Sequence, residues 1–96
     1  MSELTILANI HAHPERVEQV KAALEKLLPL TRAEAGCLQY DLLRDNRDPA
    51  HFMVFERWAT PALLQAHTSS AHLAAFRRAT EGAVTAFTLN EMTRIG

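Results

Sequence analysis

The segment from His51 to Trp58 constrains the fold most, because it carries large apolar side chains on both of its faces. Strand parity puts Phe52, Val54, Glu56 and Trp58 on one side and Met53, Phe55 and Arg57 on the other. A strand with one face in water alternates apolar with polar residues. This one does not, so both faces of its sheet need cover. A chain of 96 residues has material for one layer of helices, and a second copy is the simplest cover for the opposite face. Left open, that face would be a large apolar patch. The expectation is a homodimer formed through its sheets.

The rest of the chain supplies the helical layer and three more strands. Leu4, Ile6, Ala8 and Ile10 alternate with Thr5, Leu7, Asn9 and His11, which predicts a strand over 3–12. Pro14 suits a first helical turn, and Val17, Val20, Leu24, Leu27 and Leu28 then recur at helical spacing. That helix is predicted to pass Pro29, with a kink, and to run to about Glu34 before Gly36 ends it. Cys37 to Arg44 alternates again, and Asp45 to Pro49 is turn-forming, so the next two strands make a hairpin. Thr60 and Pro61 start a short helix, Ser70 caps another that ends near Gly82, and Val84 to Ile95 alternates as a last strand. The order βαββααβ, with the helices on one face of a four-stranded antiparallel sheet, is a ferredoxin-like α+β fold. No linker or repeat divides it, so residues 1–96 read as one domain.

Charge and composition remove several classes of partner. Ten basic against eleven acidic residues, without a block of either sign, argue against nucleic acid. No apolar run approaches the roughly 20 residues of a membrane span, and the first residues lack a secretory pattern, so the expected location is cytoplasmic. The single cysteine, Cys37, reads as a buried apolar thiol. Glycines stand isolated at 36, 82 and 96, which leaves no phosphate cradle for a nucleotide or flavin; no cofactor is expected.

The candidate chemistry lies between Phe55 and Phe76. Glu56 and Trp58 share a strand face that is otherwise apolar, so the Glu56 carboxyl is either paired or shifted in pKa. Trp58 offers an aromatic wall with an indole donor, although a tryptophan in such a pattern is more often a core residue. His67 and His72 flank a helix break and can converge on one cavity, as bases or as caps. Glu56, His67 and His72 have the composition of a two-histidine, one-carboxylate metal set. Their spacing matches no local metal signature, however, and no metal site is expected. Ser69 and Ser70 read as helix caps rather than nucleophiles.

The run Phe55-Glu56-Arg57-Trp58, followed by Leu63 or Leu64, Ala66-His67, Ser70, His72 and Phe76, with Gly36-Cys37-Leu38 and Tyr40 in the second strand, resembles the antibiotic biosynthesis monooxygenase family. The resemblance spans nearly the whole chain. It implies a dimeric α/β barrel and, in different branches, cofactor-independent oxidation of quinols and polyketide aromatics, haem degradation, or isomerisation of a phosphorylated sugar. The haem-degrading triad is not matched: Asn9 lies near its Asn, but His67 replaces its Trp, and its His falls near Arg77. The quinol-oxidising branch implies a small dihydroxy aromatic and O2 as substrates. His67 would then be the base, assisted by Glu56. Trp58, Phe76, Phe52 and Tyr40 would wall the pocket, and Asn9 or His72 would hydrogen-bond the developing oxyanion. Two alternatives carry their own expectations. A non-catalytic module would hold a small hydrophobe in a stress response, and a sugar-phosphate isomerase would need Arg44, Arg57 or Arg94 in the pocket.

Overall fold

A computed structural model describes residues 3–96. Its strands are β1 (Leu4–Ala12), β2 (Cys37–Arg44), β3 (His51–Trp58) and β4 (Val84–Met92), and its helices are α1 (Val17–Arg32), α2 (Pro61–Thr68) and α3 (Ala71–Ala79). A short 3-10 turn, Pro14–Arg16, leads into α1. The sheet is antiparallel throughout with strand order β2-β3-β1-β4, the ferredoxin-like arrangement.

Cross-strand partners share a face, so the register fixes which side chains meet. Ile6 pairs with Glu56, Ala8 with Val54 and Ile10 with Phe52, while Tyr40 flanks Glu56 from β2. These residues are buried beneath the helices with Val20, Leu24 and Leu27 of α1. Buried apolar surface of this kind stabilises by about 25 cal/mol per Å2, and Trp58, Phe52 and Ile6 are the largest wholly enclosed side chains on the sheet.

Pro29 lies inside α1, which continues to Arg32 and then stops short of the expected Glu34. Gly36 adopts φ +83, and a Cβ there would lie 2.3 Å from Leu63 Cδ1, so glycine is required where this turn presses against α2. The last strand ends at Met92 rather than Ile95, because its partner Thr5 is next to the first residue of β1 and no ladder continues beyond. Cys37 is only half-buried, against the expectation of an enclosed thiol, because it stands at the start of the edge strand β2.

Among the described residues, no helix covers the opposite face of the sheet. Leu7, Met53 and Phe55 are half-exposed there, and Leu43 and Met92 are largely open. Among the described residues, no helix is long and apolar enough to cross a membrane.

Candidate functional site

Three elements bring one carboxylate and two imidazoles together. Glu34 follows α1 in the turn that Gly36 locks against α2; the Gly36 carbonyl accepts from the Ala59 amide at 2.8 Å. His67 is in the last turn of α2, and His72 in the first turn of α3, which Ser70 caps by accepting from the Leu73 amide. Glu34 Oε2 accepts from both rings, from Nδ1 of His67 at 2.7 Å and from Nε2 of His72 at 2.6 Å. All three donor atoms that these residues could offer a metal lie within 4.8 Å of one another.

An ionised carboxylate can only accept, so the Nδ1 of His67 must carry the ring proton. Its Nε2 is then the unprotonated nitrogen of the neutral ring, and the side-chain contact that His67 makes is the one through Nδ1. The His67 ring is only 3% exposed. Trp58 packs on it with ring centroids 4.8 Å apart, and Tyr40 meets it edge-on at 5.8 Å.

Glu56 stands on the same wall. Its Oε1 accepts from the Trp58 indole at 2.9 Å, across the strand face that parity gives the two residues in common. Burial pushes its pKa up to about 7; the indole hydrogen bond opposes that rise, and the nearby Glu34 charge adds to it. The Tyr40 phenol is raised well above its ordinary range, chiefly by burial and then by the Glu56 charge, so it stays protonated.

These groups face a cavity of about 140 Å3 between the helices and the sheet. Its walls are apolar, with Ile10, Val54, Leu73, Phe76 and Leu89 among them, and Tyr40, Glu56, His67 and Arg77 supply its polar edges. Beside it, a shallower groove of about 370 Å3 shares Ile10, Leu73, Phe76 and Arg77 and opens past Phe87 of β4. A larger hollow of about 850 Å3, on the opposite face of the sheet, is an open depression around the Glu3 and Arg57 ion pair. None of the acid and base groups of the cavity reaches it.

The structure thus brings together His67, Glu56, Tyr40 and Phe76 at the cavity, with Trp58 directly behind His67. It corrects three sequence expectations. Asn9 is on the far face of the sheet, where its Oδ1 lies 2.7 Å from His51 Nε2, because its register partner is Met53 and not a residue of the Glu56 set. Phe52 is enclosed in the core, 1% exposed, and does not line the cavity. His72 turns to Glu34 instead of the cavity, so the partner of His67 is Glu34 rather than Glu56. The three arginines expected to serve a phosphate are also elsewhere: Arg57 and Arg94 border the far-face depression, and Arg44 lies over the Phe52 ring at 5.2 Å, while the arginine at the cavity is Arg77. In the sequence Glu34 reads only as the end of the first helix, two residues before Gly36, and that position by itself carries no sign of a partner for the histidines.

Comparison with known proteins gives a consistent result. The family model described as antibiotic biosynthesis monooxygenase matches residues 4–79. A protein of Mycobacterium tuberculosis named "Putative monooxygenase Rv0793" is 30% identical over 76 residues, covering 79% of this chain and 74% of that protein. One of Bacillus subtilis named "Putative monooxygenase YcnE" is 30% identical over 73 residues, covering 76% and 77% respectively. Among solved structures, PA3566 from Pseudomonas aeruginosa superposes with a TM-score of 0.95 at 34% identity, covering 100% of this chain and 97% of that one.

Proposed function

The chain belongs to the antibiotic biosynthesis monooxygenase family, and from that premise we propose that it is a cofactor-independent monooxygenase that oxidises a small quinol or related dihydroxy aromatic with O2. The observation that carries this reading is the free Nε2 of a buried His67 at an apolar cavity, with its tautomer fixed by Glu34.

With no bound redox group, the substrate itself must give electrons to oxygen, and a phenolate does so far more readily than a phenol. His67 Nε2 takes the phenolic proton. The phenolate passes one electron to O2, and the resulting radical pair combines at a ring carbon to give a hydroperoxide. Loss of water then leaves a hydroxyquinone. One oxygen atom of O2 remains in the product and the other leaves as water, so the ring supplies all four electrons and no external reductant is needed. The leaving hydroxide requires a proton. Glu56, with its pKa pushed up to about 7, is placed to give it. Tyr40, kept protonated, is a hydrogen-bond donor toward the developing oxyanion.

The cavity volume supports a single ring: an apolar cavity of about 150 Å3 accommodates benzene, and the inner space here is about 140 Å3. Substituents would extend into the groove past Phe87. The working form in this reading is a homodimer, in which a second copy covers Leu7, Met53 and Phe55 on the open sheet face. Its location is the cytoplasm, where the lone Cys37 thiol stays reduced.

The test is an oxygen-electrode screen of quinols and catechols, with catalase added to detect peroxide released by simple autoxidation. Substrate-dependent O2 uptake with a 1:1 yield of hydroxyquinone supports the reading. Ligand-induced thermal stabilisation with no uptake for any bound quinol would replace it with the binding-module reading.

A further inference from the structure

We propose that Glu34, His67 and His72 form a three-ligand site for a divalent transition-metal ion of the zinc class. Sequence spacing argues against such a site, since His67 and His72 are five residues apart and straddle a helix break. The fold removes that objection by bringing a carboxylate 33 positions upstream of His67 against both rings. Each residue offers one donor atom, and the three converge within 4.8 Å.

The donor set is chemically apt. Two imidazole nitrogens and one carboxylate oxygen suit zinc, and three protein ligands leave a fourth position open for water or another small ligand. Zinc bonds of about 2.0–2.2 Å hold ligand atoms farther apart than the present N···O separations of 2.7 and 2.6 Å. Metal entry therefore displaces the two shared protons and moves Glu34 Oε2 back by less than about 1 Å, judged from those bond lengths. Glu34 stands in a turn after α1 and its side chain is 15% exposed, against 3% for His67, so the smaller adjustment falls to the carboxylate rather than to the enclosed ring. The rings are better held. Trp58 and Tyr40 fix the plane of His67, and the Ser70 cap fixes the first turn of α3 that carries His72.

Occupancy has a consequence for the reaction proposed above. A metal on Nδ1 forces the remaining ring proton of His67 onto Nε2, and the imidazole then has no lone pair for a phenolic proton. Zinc is thus expected to oppose turnover. The site itself does not depend on that reading, because binding is measured directly.

The experiment is calorimetric titration of the purified protein with zinc chloride in a non-chelating buffer. One zinc per chain with a micromolar or tighter Kd is expected, weakened at least about 10-fold by Glu34→Gln and by His72→Ala. A His11→Ala/His51→Ala variant, which removes the stacked histidine pair on the far face, should bind as the wild type does. No binding up to millimolar zinc, or binding that survives both ligand substitutions, overturns the proposal. A readout independent of variant folding is the imidazole 15N spectrum of the wild-type protein. Zinc must move the His67 and His72 resonances, and perturbation confined to His11, His13 and His51 overturns the proposal equally. A negative zinc titration leaves the oxygen-uptake assay readable, and absence of oxygen uptake leaves the titration readable.

Discussion

His67 Nδ1 and Glu34 Oε2 stand 2.7 Å apart although 33 positions separate the two residues in the chain. That contact gives the imidazole a defined tautomer and leaves its other nitrogen free of the carboxylate, on a residue that lines the 140 Å3 cavity with Leu64 and Thr68 of α2.

His67→Ala should lower turnover of any quinol substrate at least about 100-fold, within the range typical for loss of a general base. The substitution also opens space beneath Trp58, so the comparison is made after circular dichroism shows a folded variant. Oxygen uptake unchanged by His67→Ala sinks the assignment of the base.

Glu34→Gln should reduce kcat roughly 10-fold or more while leaving KM within a small factor, because Glu34 orients the base without lining the cavity. A rise in KM alone would mean that Glu34 acts on binding, not on the orientation of His67.

The raised pKa of Glu56 makes stability depend on pH in a defined direction. Between its unfolded value of 4.5 and its folded value of about 7, the native state binds the extra proton. Stability from this group is therefore complete below pH 4.5 and is lost as pH rises through about 7. The full effect is on the order of 3 kcal/mol. Glu56→Gln keeps an acceptor for the Trp58 indole and removes the titration, so urea unfolding at about pH 5 and about pH 8 should differ less for the variant than for the wild type. An equal pH dependence in both would show that the carboxyl is not shifted.

Gly36→Ala should destabilise the fold by about 2 kcal/mol or more, since it strains a positive φ and drives a Cβ into Leu63. The same push displaces the turn that carries Glu34. A thermal melt that matches the wild type would mean that the turn relaxes freely.

Phe55→Glu should convert the protein to a monomer at micromolar concentration, because it places a charge in the centre of the uncovered sheet face. Light scattering decides the point, and a wild-type chain that is itself monomeric removes the dimer from the reading.

The fold was largely legible in the sequence because its periods are local. The strands Cys37–Arg44 and His51–Trp58 begin and end where alternation and turn residues place them, and parity alone made Glu56 and Trp58 neighbours. The site was legible only in part. His67, Glu56, Tyr40 and Phe76 line the cavity, whereas Asn9 does not. Parity within β1 says only that Asn9 sides with Leu7. Which face that is depends on the register with β3, and the pairing of Asn9 with Met53 sets it.

The sequence by itself thus determined the elements, their order and the two-faced apolar strand that calls for cover on both sides. Only the tertiary structure decided that His67 and His72 share Glu34 and that Glu56 is left to Trp58. The reason is physical: hydrogen-bond periods along a strand or helix are written in nearest neighbours, but the partner of a buried imidazole is chosen by the packing of α1, α2 and α3, and no local pattern encodes that distance.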